Sequence, residues 1–150
     1  MNQLTPCSAC PLRKTGAFSA NSEAEIEFIQ AIKQRQIPVQ AGQGIVREGD
    51  ASSTLYTLLS GWAFRYRTLS DGRRQIFNFL LPGDFIGLQH QLGQASPHGV
   101  EALTDVSLCA FPNERLWDIY RSHPGLGFDI TWLCAHEELI VDENLLWVGR

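Results

Sequence analysis

Residues 62–81 read WAFRYRTLSDGRRQIFNFLL, and this stretch decides the fold class. Two runs of alternating side chains flank Ser70-Asp-Gly72, a sequence typical of a tight β-hairpin turn. Alternation puts successive side chains on opposite faces of a sheet. The first run places Trp62, Phe64 and Tyr66 on one face and Ala63, Arg65 and Arg67 on the other; the second groups Phe77, Phe79 and Leu81. The stretch therefore predicts a β-hairpin inside a larger β structure.

Similar short strands extend on both sides of this hairpin. Turn sequences at residues 40–44, 48–50, 60–61 and 82–84 recur roughly every 8–12 residues, a spacing typical of a β-sandwich or barrel. A last strand is predicted over 106–111, ended by Pro112. Helical periodicity replaces alternation elsewhere, and it predicts helices from an N-cap at Ser22 to about Gln34, over 114–121, and from about Leu126 to the end.

Composition narrows the class of protein further. The chain has 150 residues, 44% of them hydrophobic, and a formal net charge of −4. That length suits one domain, and the lack of a basic excess disfavours direct DNA binding. No apolar run is long enough to span a membrane, and the N-terminus does not resemble a signal peptide. We therefore expect a cytoplasmic protein whose cysteines stay reduced.

The motifs, taken in order, resemble those of the Crp/Fnr family of bacterial transcription regulators. They are IPVQAGQ at 37–43, EGD at 48–50, LYTLLSG at 55–61 and LPGDFIG at 81–87. ALTDVSLCAFP at 102–112 resembles the last barrel strand of the oxygen-sensing Fnr branch. The resemblance covers essentially the whole chain. It implies a mostly β fold with flanking helices: a double-stranded β-helix (jelly-roll) barrel of the cyclic-nucleotide-binding-domain type, followed by a C-terminal dimerisation helix.

The same resemblance implies how the chain is organised and which partners it has. We expect a cysteine-containing arm over 1–21, a sensor domain over 22–125 and a dimerisation helix over 126–150. The family's helix-turn-helix domain would need roughly seventy further residues. The chain is thus expected to be a truncated or single-domain form that makes a homodimer, contacts no membrane, and reaches DNA only through a domain absent here.

The loop that binds cyclic nucleotides in this family differs here from its cAMP-binding pattern. In the cAMP branch a glutamate and an arginine follow the GDFxG turn. Here Gly87 is followed by Leu88 and Gln89, and no arginine occurs in 93–99. A buried phosphate needs a cationic partner, so the sequence disfavours cAMP as the ligand. The predicted pocket comprises Gly83, Asp84, Phe85, Gly87 and His98, with Gly83, Gly87 and Gly93 acting as turn formers.

The cysteines suggest a different signal. The Fnr branch binds an iron–sulfur cluster through three arm cysteines and one in the last barrel strand, because soft thiolates suit iron. Cys7 and Cys10 match two arm ligands and Cys109 matches the strand ligand, but no cysteine stands near Gly16. Cys134 or His136 could take the missing place. Three alternatives remain open: zinc binding, a thiol switch at Cys7 and Cys10, and an arm without a sensing role. In the last case Cys109 and Cys134 would simply pack in the hydrophobic core.

The long helix carries a row with roughly a/d spacing, which predicts a dimer seam. Its members are Ile130, Leu133, Glu137, Ile140 and Asn144. In an apolar seam, the Glu137 carboxylates of the two chains would repel each other. Glu137 therefore either tunes dimer formation, as acidic residues do in Fnr-type regulators, or faces water.

An enzyme is the first rival to a sensor. Metal-dependent jelly-roll enzymes need histidines clustered with a carboxylate. Here His90 and His98 share one loop, and His123 and His136 lie in the helical part. We therefore predict no enzymatic activity. A dimerisation or interaction module that senses nothing remains the second alternative.

Overall fold

The computed structural model describes residues 4–16, 18, 20–88 and 95–149, and it forms two four-stranded antiparallel sheets with flanking helices. The strands are β1 (Arg35–Val39), β2 (Gly44–Val46), β3 (Thr54–Ser60), β4 (Ala63–Thr68), β5 (Arg74–Leu80), β6 (Phe85–Ile86), β7 (Gly99–Ala102) and β8 (Val106–Pro112). The helices are α1 (Glu23–Ile32), α2 (Leu116–Ser122) and α3 (Pro124–Val148). None of these helices is long and apolar enough to cross a membrane.

The strand order is that of a jelly roll. The first sheet runs β1-β8-β3-β6 and the second runs β2-β7-β4-β5, so strands far apart in sequence become neighbours. The core between the sheets is aliphatic, and its largest fully buried side chains are Leu58, Leu80, Ile86, Val100 and Leu108. The predicted jelly-roll fold is therefore confirmed.

The β4–β5 hairpin forms as predicted, but its alternation is broken. Ala63 and Arg65 do share a face, and that face is the interior of the barrel. A register shift between Arg65 and Tyr66 interrupts the pattern, and Trp62 lies before the strand, exposed. On β5 the row containing Phe79 is outside, whereas Leu80 is fully buried. Trp62 and Phe79 thus lie on the exposed surface of this hairpin, whereas Phe64 is buried.

The helices begin where their sequences favour capping. Ser22 caps α1: its hydroxyl accepts a bond from the Glu25 amide at 3.3 Å, and the Glu25 carboxylate accepts from the Ser22 amide at 2.8 Å. The helix α3 begins two residues earlier than predicted, because Pro124 suits the first turn of a helix.

Candidate sensing site

The N-terminal arm lies against the outer face of the first sheet. Three hydrogen bonds hold it there: Thr5 N–H to Gln36 Oε1 at 2.9 Å, Cys7 N–H to Gln30 Oε1 at 2.7 Å, and Lys33 Nζ to the Thr5 carbonyl at 2.8 Å. Leu12 is buried against Leu59 and Cys109. The arm is thus fixed to both α1 and the barrel.

This docking brings together three of the predicted site residues, which we call the thiol cluster: Cys7, Cys10 and Cys109. Cys7 begins a short 3-10 turn (Cys7–Ala9) and Cys10 directly follows it, with the Cys10 amide donating to the Cys7 carbonyl at 3.3 Å. Cys109 is buried on β8 with Cys10 packed against its hydrophobic cluster. Lys33, itself buried, acts electrostatically on both Cys7 and Cys109.

Burial and Lys33 act on these thiols in opposite directions. Burial raises the pKa of Cys7 and of Cys109, and the nearby Lys33 ammonium lowers both without cancelling the effect of burial. The pKa of each therefore stays above that of an ordinary thiol. Because only the thiolate is nucleophilic, Cys7 and Cys109 react at neutral pH through the minor fraction of each thiol that is deprotonated.

Alkylation tests this electrostatic balance. Iodoacetamide is expected to modify Cys7 and Cys109 more slowly in the folded protein than in urea, since the thiolate fraction falls about tenfold for each pH unit by which a pKa rises. The difference in alkylation rate between folded and urea-unfolded protein should become smaller as the pH rises through the raised pKa values of the two thiols. Lys33→Met should slow the folded-state reaction further, while the exposed Lys14→Met serves as the matched control. The alkylation rate at each cysteine is measured by peptide mass spectrometry. Equal alkylation rates in Lys33→Met and Lys14→Met would contradict the role given to Lys33.

The thiol cluster does not match the ligand set of a four-cysteine iron–sulfur centre. Within the part of the chain that the structure describes, no three His, Cys, Asp or Glu side chains converge as metal ligands. The position of the missing arm cysteine, Gly16, is exposed. The Lys33 ammonium, rather than a fourth soft donor, stands beside the thiols.

The two substitutes predicted for a fourth ligand lie elsewhere. Cys134 lies on α3; partial desolvation of its thiol and the nearby Glu137 raise its pKa, while Arg65 lowers it. His136 stacks on Trp132 with ring centroids 5.1 Å apart. Neither residue interacts with the thiol cluster among the contacts described.

The predicted ligand-pocket residues form tight turns at the end of β5 and the start of β7. Gly83 and Gly87 have φ of 104° and 100°, which confirms their role as turn formers. Asp84 accepts a bond from the Leu81 amide at 2.7 Å; burial raises its pKa, and that bond lowers it in part. His98 is buried, with its ring edge-on to Phe77 at 5.6 Å. Gly93 lies outside the described residues.

A buried ion pair inside the barrel was not anticipated from the sequence. Arg65 is 4% exposed; it donates to Glu137 Oε1 on α3 at 2.7 Å and to the Phe85 carbonyl of β6 at 2.7 Å. Its Nε and the Oδ1 of Asn78, directly opposite on β5, are buried without a hydrogen-bond partner. Burial raises the pKa of Glu137, an effect that Arg65 opposes.

This ion pair changes the interpretation of Glu137 and its neighbours on α3. Glu137 bonds to Arg65 of its own barrel, an arrangement that the sequence did not predict. Ile130 is buried, and Asn144 donates to the Phe77 carbonyl at 3.1 Å. Within the predicted seam row, Ile130, Glu137 and Asn144 thus contact other parts of the same chain, while Leu133 is half-buried and Ile140 is exposed.

Comparison with known proteins agrees with this architecture. The family described as cyclic nucleotide-binding domain matches residues 36–123. The transcriptional activator protein FnrL of Cereibacter sphaeroides is 28% identical over 144 residues, which cover 96% of this chain and 57% of FnrL. The fumarate and nitrate reduction regulatory protein of Vibrio cholerae is 30% identical over 144 residues, covering 96% of this chain and 58% of that protein.

A solved structure supports the same assignment. FixK2 from Bradyrhizobium japonicum superposes with a TM-score of 0.68 at 27% identity, covering 77% of this chain and 58% of FixK2. The fold and the strand order define a jelly-roll domain of the cyclic nucleotide-binding type. The chain belongs to the cyclic nucleotide-binding domain family. It spans somewhat more than half the length of the relatives it matches.

Proposed function

We propose that this chain is the sensory domain of a cytoplasmic transcription regulator and that the thiol cluster receives a redox signal. One observation carries the proposal: thiols about a hundred residues apart in sequence converge beside the buried Lys33. The resemblance to the Fnr branch, drawn from the cysteine positions, points to the same class of signal. The net charge of −4 argues against DNA contact by this chain itself.

The chemistry that suits these residues is reversible formation of a disulfide. Cys7 and Cys10 lie one turn apart, and this CxxC spacing is typical of redox pairs. With hydrogen peroxide as oxidant, the thiolate of one residue attacks the peroxide and becomes a sulfenic acid, releasing water after protonation. The second thiol then displaces a second water as the S–S bond forms. Two electrons pass from the two sulfurs to the peroxide.

Disulfide formation at the thiol cluster can alter the packing of α3 directly. Cys7, Cys10 and Cys109 line the same cavity as Leu126 and Ile130, the two most buried aliphatic residues of α3. A disulfide shortens the separation of the two arm cysteines, so it alters how the arm packs at this cavity. Interiors are close-packed and transmit such shifts. The position of the first turns of α3 is then the output of the domain.

The outer face of α3 is proposed to pair with a second copy of the chain. Phe128, Trp132, Leu139 and Leu146 lie on one side of this helix at spacings of four, seven and seven, and each is at least half exposed. Exposed apolar stripes of this kind usually mark an interface. The dimer seam therefore lies on this row rather than on the row that contains Glu137.

Disrupting that row should give a monomer. Leu139→Lys places a charge within the proposed interface, so the sedimentation coefficient is expected to fall from the dimer value to the monomer value. Leu69→Lys, at an exposed leucine in the β4–β5 hairpin, is the matched control and should sediment like the wild type. A wild-type protein that is monomeric at high micromolar concentration would contradict the proposed dimer.

The nature of the sensing centre is tested by purifying the protein without oxygen from iron-sufficient cells. We expect no stoichiometric iron, zinc or acid-labile sulfide and all four cysteines titrating as thiols. Peroxide should remove two thiols, with Cys7–Cys10 linked in the peptide map, and Cys7→Ser should abolish that loss. Broad visible absorption with stoichiometric sulfide, lost in Cys109→Ala, would instead favour an iron–sulfur sensor.

A further inference from the structure

A cavity separates the outer face of the first sheet from the helices that cover it. Its volume is about 120 Å³. Its walls come from the arm, α1, the sheet, α2 and α3, and representative apolar members are Leu12, Ile29, Leu55, Phe111, Leu116 and Ile130. Protein interiors seldom keep voids larger than one water molecule, and this space equals several times the roughly 30 Å³ that a water molecule occupies in the liquid.

The chemistry of the wall decides what the cavity can hold. Nearly all of its lining surface is apolar. The charged groups at its edge already have partners: Lys33 binds the Thr5 carbonyl, Arg13 binds the Ser8 carbonyl at 3.0 Å, and Asp129 accepts from Asn21 at 3.2 Å. Water needs two to four polar partners to occupy a site, whereas a dry apolar cavity of about 150 Å³ in another protein binds benzene or xenon.

We propose that this cavity is a binding site for a neutral, apolar molecule of about the size of benzene. The site lies outside the barrel, on the face of the sheet opposite to the core that Leu58 and Leu108 fill. It contacts both the arm and the buried side of α3, so occupancy stabilises the docking of these two segments on the sheet. The inference rests on shape and polarity and is stated for the reduced protein, because the thiol cluster lines the same cavity.

Benzene and benzoate are the probes that test the proposed ligand class. Titrations of the reduced protein are followed by protein-observed NMR and by thermal unfolding. Benzene is expected to bind with a dissociation constant on the order of 1 mM or lower and to raise the melting temperature. Benzoate should not bind, because its charge would be buried without a partner. Binding of benzoate as tight as that of benzene would overturn the neutral class.

Two variants that fill the cavity locate the site. Ile29→Phe and Leu116→Phe add volume from different walls, and each should weaken benzene binding by at least about tenfold while keeping a cooperative melting transition. Leu69→Phe makes the same change as Leu116→Phe at an exposed position and should bind like the wild type. No binding up to the aqueous solubility of benzene, or equal binding by a folded filling variant and the control, would overturn the proposal.

Discussion

Replacing Glu137 with alanine is expected to destabilise the domain by about 3–5 kcal/mol, the usual cost of removing one partner from a buried ion pair. Arg65 is almost completely buried; Glu137 is the carboxylate described in a direct ion pair with it, and Asp84 interacts with it electrostatically without such a contact. Without that carboxylate the guanidinium keeps its bond to the Phe85 carbonyl and remains a charge inside the barrel. Since domains are stable by only about 5–15 kcal/mol, this loss should move the urea midpoint markedly.

Two further variants separate the ion pair from a general effect of helix mutations. Glu138→Ala changes the exposed neighbour on α3 and should stay within about 0.5 kcal/mol of the wild type. Glu137→Gln keeps an oxygen that can accept from Arg65, so it should lose less than half as much stability as Glu137→Ala. If Glu137→Ala and Glu138→Ala unfold at the same urea concentration, the ion pair does not hold α3 to the barrel.

A single methyl group at Gly61 is expected to cost about 2–5 kcal/mol. Gly61 has φ of 83° in the turn between β3 and β4, a conformation that costs other residues roughly 1–2 kcal/mol. An added Cβ would also collide with the Asp105 carbonyl oxygen and lie 2.8 Å from Val106 Cγ1. Such overpacking typically costs about 1–3 kcal/mol more.

The chain offers a matched control for this glycine. Gly72 has the same φ of 83°, but no atom lies within 4 Å of the place where its Cβ would stand. Gly72→Ala should therefore show only the backbone cost, about 1–2 kcal/mol. The difference between the two variants in urea unfolding measures the steric contribution alone. Equal losses of unfolding free energy in Gly61→Ala and Gly72→Ala would show that the segment between β7 and β8 makes no steric contact with the turn at Gly61.

Local sequence rules predicted the parts of the fold that local chemistry determines. Ser70-Asp-Gly72 formed the predicted hairpin, and Ser22 with Glu25 formed the cap of α1. The interior role of Arg65 was not predictable, because its partner is a carboxylate 72 residues away. Periodicity assigns residues to faces but does not say which face the barrel covers.

Some residues of the candidate site were predicted from the sequence and others were not. The motif spacing identified Cys7, Cys10 and Cys109 from the resemblance alone, and the fold brings them together. It leaves Cys134 elsewhere on α3. Lys33 was missed because a lysine directly after an amphipathic helix is ordinarily solvent-exposed. Its burial follows from the arm, whose Thr5 carbonyl accepts the ammonium.

Hydrogen–deuterium exchange tests most directly whether redox change at the thiol cluster reaches α3. Reduced and peroxide-treated protein are compared, in the wild type and in Cys7→Ser. We predict altered amide exchange over residues 126–130 upon oxidation of the wild type and none in Cys7→Ser, with the 68–74 hairpin unchanged in both. Identical exchange of α3 in protein whose Cys7–Cys10 disulfide has formed would contradict the account.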